Sequence, residues 1–311
     1  MTVQKDKSRE LLTLGEALLP TTLVVESIQR WFAEDGLGQG DVTSLSIIDP
    51  TDRVTASLVA REAMIVSGIE PLSRGFQTPP LAGRLVLEQL VGEGLSVKPG
   101  TVIGRLQGGR RSVLAAERTI LNLLGRLAGV ASNTRRFVLA VQDTSSVICD
   151  TRKTTPGLRN WEKYAVACGG ATLHRLGLHD AALFKDNHLE GIPLDSLADR
   201  LEAACREARS SRTLEFVEVE VDTLDQLDRV LTMEPGLVDI VLLDNMSDEE
   251  MREAVSRRDL SGSTIKLEAS GGIDLDACHR VAGTGVDRIA VGSVTRSAQI
   301  LDIGLDIQAD P

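Results

Sequence analysis

The sequence predicts an α/β protein built from a mixed α+β region followed by a closed or nearly closed α/β barrel. From about residue 146 onward, short apolar runs alternate with amphipathic helices, as in a parallel sheet covered by helices. Before them, residues 54 to 109 hold short alternating segments separated by turns such as VKPG, which is typical of an antiparallel sheet. These two sequence patterns predict two structural regions in one chain.

Composition sets the broad class of protein. The chain has 311 residues, of which 42% are hydrophobic, as is typical of a globular protein. Its net charge of −11 and its aromatic content of only 3% disfavour nucleic acid as a partner. No apolar run reaches the ~18 residues of a membrane span, and the N-terminus lacks an apolar signal core. The four cysteines are widely spaced, so we expect reduced thiols in a cytoplasmic protein rather than disulfides or a zinc site.

Helices are predicted before and after the first sheet in the sequence. Residues 1 to about 45 have apolar residues at helical spacing, interrupted by the turn GLGQGDVTS, in which Asp41 or Thr43 is available to cap or bind. A long helix is predicted from Ser112 to Val141. On it, a polar stripe lies close to two glycines, which indicates either a closely packed partner such as a second subunit or a solvent-facing surface. The stripe contains Arg118, Asn122 and Arg126, and the glycines are Gly125 and Gly129.

The barrel strands share one feature, which is that charged residues follow them. The predicted strands are SVICD, AALFK, FVEVEV, VDIVLLD, TIKLEA and VDRIAVG, with a seventh candidate at ATLHR. Barrel active sites form at the carboxyl ends of the strands, so carboxylates and cations placed there predict a site rather than isolated salt bridges. The residues concerned are Asp150, Arg152, Lys153, Lys185, Glu218, Glu220, Asp244, Asn245, Lys266 and Glu268.

A cluster of cations between Asp150 and His188 predicts a pocket for a small polyanion. The cluster is basic although the chain as a whole is acidic, and glycines between the cations let the backbone approach a ligand closely. The alternative is a basic loop exposed to solvent. Its members are Arg152, Lys153, Arg159, Lys163, Arg175 and Lys185, with His174, His179 and His188. The histidines lack zincin spacing, which disfavours a metal site.

Glycine turns after the last two barrel strands predict a phosphate site. Ser270, Gly271 and Gly272 follow TIKLEA, and Gly292 and Ser293 follow VDRIAVG. Barrels frequently bind phosphate with these final loops and a helix N-terminus. The motif GxxxxGK is absent, so a P-loop nucleotide site is excluded.

Long motifs in the chain resemble those of the quinolinate phosphoribosyltransferase family (nicotinate-nucleotide pyrophosphorylase, decarboxylating). They are EDGLGQGDVTS, VARE, AAERTILNLLGRLAGVAS, TRKTTPGLRNWEKYAV, GGATLHRLGL, LFKDNH, VEVEV, LLDN, EASGGI and GVDRIAVGS. The resemblance implies an α/β fold with an N-terminal α+β sandwich domain over residues 1–117, joined by residues 296–311. It also implies a seven-stranded, incomplete TIM-like α/β barrel over residues 118–295. Finally, it implies a homodimer with shared active sites, with assembly of dimers into a hexamer left open.

The resemblance also implies roles for individual residues. The enzyme would convert quinolinate and phosphoribosyl pyrophosphate to nicotinate mononucleotide, pyrophosphate and CO2 in NAD biosynthesis. Mg²⁺ would be held mainly through the substrate pyrophosphate, with Glu220 and Asp244 as candidate ligands. Lys153, Glu220 and Asp244 are the expected catalytic residues. Quinolinate would meet Arg152, His174, Arg175, Lys185 and, from the neighbouring subunit, Arg118. Phosphoribosyl pyrophosphate would meet Lys153, Glu220, Asp244, Ser270, Gly271, Gly272, Gly292 and Arg296.

Two positions depart from the family pattern. Thr295 is followed by Arg296 where the family usually has histidine, and Leu173 stands before the His-Arg pair where the family tends to have asparagine. These changes leave two alternatives open: a paralogue of the same fold acting on another heterocyclic carboxylate, as in relatives near molybdate transport genes, or a non-catalytic anion-binding protein. Paired carboxylates in the pocket argue against the second, because they repel an anion.

Overall fold

The computed structural model describes residues 11–307. Two helices come first, as predicted, α1 (Leu11–Leu18) and α2 (Thr21–Glu34), whereas residues 1–10 of the predicted helical region lie outside the described residues. A third helix, α3 (Val42–Ile47), begins within the predicted turn, and Asp41 is its N-cap, accepting a hydrogen bond from the backbone N–H of Thr43 at 3.0 Å. Of the two roles open to Asp41, the structure therefore shows capping. None of the described helices is by itself long and apolar enough to cross a membrane, whereas the bent pair α1 and α2 passes that test when taken together.

The first sheet is antiparallel, as the alternating segments predict. Its strands have the order β12-β1-β5-β3, and β2 pairs separately with β4. The last strand of the described chain pairs with the first, so that Leu305 lies opposite Leu58. The chain end therefore completes the N-terminal sheet. The elements are β1 (Arg53–Ala60), β2 (Met64–Ile65), α4 (Ile69–Phe76), β3 (Leu85–Gln89), β4 (Ser96–Val97), β5 (Val102–Gly109) and β12 (Ile303–Ile307).

Helix α5 (Arg110–Ala140) matches the predicted long helix, but its glycines have a different role from the one expected. A Cβ on Gly129 would lie 1.8 Å from the carbonyl oxygen of Gln299, and one on Gly125 would lie 2.5 Å from that of Leu301. The partner that packs closely here is therefore the chain's own segment before β12, not a second subunit. The backbone confirms the contact, because Leu301 N–H donates to Gly125 at 3.1 Å.

The polar stripe of α5 is not uniform. Arg118 is 69% exposed in its side chain, whereas Arg126 is 16% exposed and pairs with a fully buried carboxylate. Its Nη2 and Nε lie 2.7 Å and 3.0 Å from Glu162 Oε1, and its Nη1 donates to the carbonyl of Ala298 at 2.9 Å. Glu162 belongs to α6 (Arg159–Gly169) and also accepts hydrogen bonds from Thr155. Arg126 is thus a structural residue that connects α5, α6 and the segment after residue 297.

A second sheet of six parallel strands forms the predicted barrel region. The strand order is β6-β11-β10-β9-β8-β7, and the seventh candidate, at ATLHR, is reduced to one parallel bridge between Thr172 and Cys149. Every residue of the strand VEVEV is buried, as expected for a strand covered on both faces. The strands are β6 (Val147–Cys149), β7 (Ala182–Phe184), β8 (Val217–Val221), β9 (Ile240–Asp244), β10 (Lys266–Ser270) and β11 (Arg288–Ala290).

Helices connect these parallel strands, and their N-termini are encoded locally. Thr223 with Gln226 and Ser247 with Glu250 form capping boxes, and Asp274 caps the following helix through the N–H of Ala277. Each cap therefore begins a helix a few residues after a strand, so the alternation of strands and helices is encoded locally in the sequence. The helices are α7 (Asp186–Leu189), α8 (Leu197–Ser211), α9 (Leu224–Leu231), α10 (Asp248–Leu260), α11 (Leu275–Ala282) and α12 (Ser293–Arg296), with a short 3₁₀ turn at Leu194–Ser196.

The chain packs as two compact units. One contains the described residues up to Arg135, with Thr155–Gly170 and the described residues from Ser297 onward; the other contains Arg136–Thr154 and Ala171–Arg296. Helix α5 continues unbroken past residue 117, the domain boundary expected from the sequence, and α6 belongs to the first unit. All four cysteines are buried free thiols.

Candidate active site

A cavity of about 560 Å³ opens at the carboxyl ends of the parallel strands in the second unit. Its walls come from the ends of β6 to β10 and the loops after them, because parallel strands present all their carboxyl ends at one edge. Most of the predicted site residues line it. These are Arg152, Lys153, His174, Arg175, Lys185, Glu220, Asp244, Ser270, Gly271 and Gly272.

Other predicted residues lie elsewhere. Gly292 directly follows the β11 region and packs close to the Lys153 side chain, and Arg296 is exposed at the end of α12; neither lines the cavity. Arg118 belongs to the first unit, on an exposed face of α5. Of the predicted cation cluster, Arg159 and Lys163 lie on α6 and belong to the first unit, whereas the other four cations belong to the second.

One part of the cavity wall is formed by two neighbouring arginines, Arg152 and Arg175. Burial, and then the nearby Arg152, lower the pKa of the Arg175 guanidinium. The Nε atoms of both arginines are buried and have no hydrogen-bond partner in the described part of the chain. Two guanidinium groups held together in this way favour a bound anion with planar oxygens. This part of the cavity wall is therefore suited to a carboxylate ligand.

Other parts of the wall carry carboxylates. Lys185, at the end of β7, forms an ion pair with Glu220 on β8, and Glu220 is 6% exposed in its side chain. Asp244, at the end of β9, accepts a hydrogen bond from the Asn245 side-chain amide at 2.6 Å. Carboxylate oxygens in this position can accept hydrogen bonds from sugar hydroxyls or hold a hard cation such as Mg²⁺.

The turn after β10 brings backbone close to the cavity. Gly271 has a φ of +112°, and a Cβ there would lie 2.3 Å from Asn245 Oδ1, so no other residue fits without displacing Asn245. The Asn245 N–H donates to the carbonyl of Ser270 at 3.0 Å, which ties the ends of β9 and β10 together. The two-glycine turn leaves room for an anion beside the backbone, as a phosphate site needs.

A group of buried charged side chains lies next to the His174 side chain. Its Nε2 is 2.9 Å from Glu218 Oε2 and 3.5 Å from Glu268 Oε1, and both glutamates are fully buried. Arg288 Nε donates to Glu268 Oε2 at 2.6 Å, and the Cys149 thiol donates to the same oxygen at 3.2 Å. Burial raises the pKa of Glu218 to about 7, and burial followed by the proximity of Glu218 raises that of Glu268.

Comparison with known proteins gives a consistent result. The family model for the quinolinate phosphoribosyl transferase N-terminal domain matches residues 41–128, and that for the C-terminal domain matches residues 130–306. The chain belongs to the quinolinate phosphoribosyltransferase family. A nicotinate-nucleotide pyrophosphorylase [carboxylating] of Mycobacterium leprae is 40% identical over 293 residues, which cover 91% of this chain and 96% of that protein.

Two further relatives agree with this membership of the quinolinate phosphoribosyltransferase family. A probable nicotinate-nucleotide pyrophosphorylase [carboxylating] of Bacillus subtilis is 37% identical, over 90% of this chain and 92% of its own. The solved structure of the nicotinate-nucleotide pyrophosphorylase from Francisella tularensis is 35% identical with a TM-score of 0.81. It covers 93% of this chain and 98% of that one. The fold class predicted from the sequence, a sheet domain followed by an α/β barrel domain, is therefore confirmed.

Several residues of this phosphoribosyltransferase site were not predicted. Thr295 is fully buried, and its hydroxyl donates to the carbonyl of Lys153 at 2.8 Å, which braces the loop after β6. Arg288 and Cys149 contribute to the group of buried side chains next to His174. Glu218 and Glu268 were predicted as members of the strand-end site, but nothing in the sequence showed that they are fully buried. The only sequence signal was their alternation with apolar residues, which places charged side chains inside a barrel.

His174, Glu218 and Glu268 also offer three ligand atoms within 4.8 Å of one another, a spacing that could hold a metal ion. The guanidinium of Arg288 already supplies a positive charge to Glu268. In this phosphoribosyltransferase the Arg288 guanidinium therefore offsets the charge of one of the two buried glutamates.

The raised pKa of Glu218 predicts a pH-dependent stability. Between its ordinary value of 4.5 and about 7, the folded chain keeps a proton that the unfolded chain releases. This contribution is fully present below pH 4.5 and is lost as the pH rises through about 7. Because one pKa unit corresponds to about 1.4 kcal/mol, the loss is of the order of 3 kcal/mol. Glu218→Gln cannot titrate and should gain stability relative to the wild type as the pH rises.

Urea unfolding of both proteins at pH 5 and pH 8 measures this effect. The advantage of Glu218→Gln should be larger at pH 8. Glu249→Gln is the matched control, because the Glu249 side chain is 85% exposed and should show no comparable change. An equal difference between Glu218→Gln and the wild type at both pH values would contradict the prediction.

Proposed function

We propose that the chain catalyses the reaction of quinolinate with phosphoribosyl pyrophosphate, giving nicotinate mononucleotide, pyrophosphate and CO2 in NAD biosynthesis. The observation that carries this proposal is that one cavity is lined by cations, by carboxylates and by a two-glycine turn. The cations suit a dicarboxylate acid, and the carboxylates with the glycine turn suit a ribose with phosphates. Membership of the quinolinate phosphoribosyltransferase family supports the same pair of substrates.

The arginines would bind the two carboxylates of quinolinate. Arg152 and Arg175 present buried Nε–H groups without partners among the described residues. Lys185, which is paired with Glu220, adds a third cation to the cavity wall. Each charge-assisted hydrogen bond is worth roughly 1.5–3 kcal/mol. The contacts would hold the pyridine nitrogen toward the sugar, so that the binding energy is used to orient the reacting atoms.

The carboxylates would serve the ribosyl transfer. The pyridine nitrogen forms a bond to the anomeric carbon while the bond from that carbon to pyrophosphate breaks, which builds positive charge on the sugar. Glu220 and Asp244 are the groups placed to stabilise this charge and to hold the ribose hydroxyls, and Lys153 would neutralise phosphate. The 2-carboxylate then leaves as CO2, and its electron pair stays on the ring carbon beside the cationic nitrogen until that carbon takes a proton.

We propose Mg²⁺ as the cofactor. Glu220 and Asp244 offer the oxygen ligands that Mg²⁺ prefers, although Lys185 already pairs with Glu220, so most of the coordination would come from the substrate pyrophosphate. When bound, the ion would supply charge neutralisation for the leaving pyrophosphate.

We also propose a homodimer with shared active sites, in which Arg118 of one subunit reaches the dicarboxylate bound by its partner. The exposure of the Arg118 side chain leaves it accessible to a neighbour. The wide spacing of the four cysteines supports a cytoplasmic location.

Neither departure from the family pattern favours a different acid. Leu173 and Arg296 do not line the cavity, whereas all the cations expected to bind the dicarboxylate from within the same unit do. We therefore keep quinolinate as the proposed acid.

One assay tests the proposed function. Purified protein, Mg²⁺, phosphoribosyl pyrophosphate and quinolinate are mixed, and nicotinate mononucleotide and CO2 are followed together. Both products should appear in equal amounts. If a folded protein that binds phosphoribosyl pyrophosphate forms neither product, the acid is wrong and other heterocyclic carboxylates should be screened. If it turns over none of them, the non-catalytic alternative holds.

A further inference from the structure

Two residues that follow each other in the chain, Arg152 and Lys153, both line the cavity. Consecutive side chains of an extended strand point to opposite faces, so the chain must turn after β6 to bring both of them there. The N–H of Lys153 donates to Thr151 Oγ1 at 3.0 Å. The N–H of Thr154 donates to the carbonyl of Arg152 at 2.9 Å, which closes the turn. The direction of the Lys153 side chain therefore depends on how its two peptide groups are held.

The carbonyl of Lys153 is held by a residue 142 positions later, Thr295. Thr295 is fully buried within α12, and its hydroxyl oxygen lies 2.8 Å from the carbonyl oxygen of Lys153 and 3.2 Å from that of Gly292. A hydroxyl carries one hydrogen, and the carbonyl of Lys153 is the nearer acceptor. Thr151 and Thr295 therefore hold the peptide groups on either side of the Lys153 Cα, which sets the direction of its Cα–Cβ bond.

Thr295 is itself anchored by the fold of the second unit. The strand before α12, β11, pairs in parallel with β6, and the N–H of Val291 donates to the carbonyl of Cys149 at 2.9 Å. Within α12, the N–H of Arg296 donates to the carbonyl of Gly292 at 3.1 Å. The loops after β6 and β11 are therefore neighbours, and the hydroxyl of Thr295 joins them.

The side chain of Lys153 packs on the loop after β11. A Cβ added to Gly292 would lie 3.0 Å from Lys153 Cδ and 3.5 Å from Thr151 Oγ1, so the aliphatic part of the lysine lies against the bare backbone of this glycine. The backbone bond from Thr295 and this contact together hold Lys153 beside the loop that is expected to meet the phosphate of the donor.

We propose that Thr295 is a positioning residue for the ribosyl transfer, whose buried hydroxyl fixes the peptide of Lys153 and so directs the lysine side chain toward the phosphates of the donor. The inference rests on the proposed function, because that function gives Lys153 the neutralisation of phosphate. Thr295 does not line the cavity, so it acts through Lys153 and not by touching a substrate.

Thr295→Val tests the proposal, because it keeps the shape of the side chain and replaces only the hydroxyl, by a methyl group. It should lower kcat by about 10- to 100-fold, because a small misplacement of a reacting group is that costly. Thr295→Ser keeps the donor and should recover most of the loss. Thr284→Val is the matched control: the Thr284 hydroxyl is also buried and donates to the carbonyl of Val281 at 2.7 Å, yet its loss should leave kcat unchanged. A wild-type kcat in Thr295→Val would overturn the proposal.

A double variant separates positioning from a general loss of structure. Lys153→Met removes the ammonium group, so the addition of Thr295→Val should lower kcat no further. Losses that multiply would show that Thr295 acts through something other than Lys153. Should Thr295→Val fail to fold, Thr295→Cys is the second variant, because a thiol is a weaker donor than a hydroxyl. Its kcat should fall below that of Thr295→Ser, and equal values would contradict the proposal.

The hydrogen bond can also be observed directly, because Lys153 is the only lysine in the sequence that a threonine follows. Labelling lysine with ¹³C at the carbonyl and threonine with ¹⁵N therefore gives one NMR correlation, which joins the Lys153 carbonyl to the Thr154 amide. A carbonyl carbon that loses a hydrogen bond is more shielded, so Thr295→Val should move the ¹³C signal to lower chemical shift. Thr284→Val should leave it in place. An unmoved signal in Thr295→Val would refute the inference.

The two readouts separate a failure of the inference from a failure of the proposed function. A wild-type protein that forms no nicotinate mononucleotide would remove the proposed function, while the carbonyl signal would still report on the bond from Thr295. Calorimetric titration with pyrophosphate and Mg²⁺ then replaces kcat. Thr295→Val should weaken pyrophosphate binding in the wild-type background but not in Lys153→Met, and equal weakening in both backgrounds would contradict the inference.

Discussion

Mixing two weakened variants, Arg118→Ala and Asp244→Ala, should raise the activity to about a quarter of the wild-type value. If each site combines Asp244 of one subunit with Arg118 of its partner, each mixed dimer carries one intact site and one doubly defective site. Random exchange makes about half of the dimers mixed, so about a quarter of all sites are intact. Each variant alone should lose roughly 10- to 150-fold, because a charge-assisted contact contributes about 1.5–3 kcal/mol.

Differently tagged subunits, coexpressed and purified through both tags, give the mixed dimer directly. The matched control pairs Asp244→Ala with Lys185→Ala, two residues that line the same cavity of one chain. Every site of that mixed dimer has one defect, so activity should not recover. If the Arg118 and Asp244 mixture also stays inactive although mixed dimers are recovered, Arg118 does not act across the subunit boundary.

Arg126→Ala should be the most destabilising single substitution considered for the first unit. It leaves the fully buried Glu162 without its guanidinium partner, and removing one member of a buried ion pair costs about 3–5 kcal/mol. The same change also frees the carbonyl of Ala298, which Arg126 holds at 2.9 Å. Urea unfolding followed by tryptophan fluorescence measures the effect, because Trp161 lies next to Glu162 on α6 and packs against Trp31.

Arg118→Ala is the control on the same helix. Its side chain is 69% exposed and its nearest carboxylate, on Glu117, is 4.0 Å away, so it should change stability by less than about 0.5 kcal/mol. A double variant, Arg126→Met with Glu162→Gln, removes both charges and should recover much of the loss. Equal stability of Arg126→Ala and Arg118→Ala would show that the pair contributes little.

The strand ends were predictable because the chemistry of a parallel sheet is local in sequence. Glu220 is the penultimate residue of β8 and Asp244 is the last of β9, and parallel strands bring their last residues to one edge. The glycine pair at Gly271 was also visible in the sequence. The structure shows why a glycine is needed there, because the close approach of Asn245 leaves no room for a Cβ. The long helix was equally clear from its spacing of apolar residues.

Partners across long sequence separations were not predictable. The spacing that grouped Arg118 with Arg126 describes one face of α5, but it does not show that Glu162, 36 residues later, meets one of them and not the other. Likewise, the run of cations after Asp150 does not show that Lys163 is buried on a helix of the first unit.

The sequence by itself determined the family, the two textures of sheet and most of the residues that line the cavity. Only the tertiary structure decided the orientation of His174, because that depends on which carboxylates the barrel interior presents to Nε2. It also showed that the glycines of α5 receive the chain's own segment before β12. The physical reason is the same in both cases: periodicity records which side chains are buried, whereas their partners depend on distances set by the whole fold.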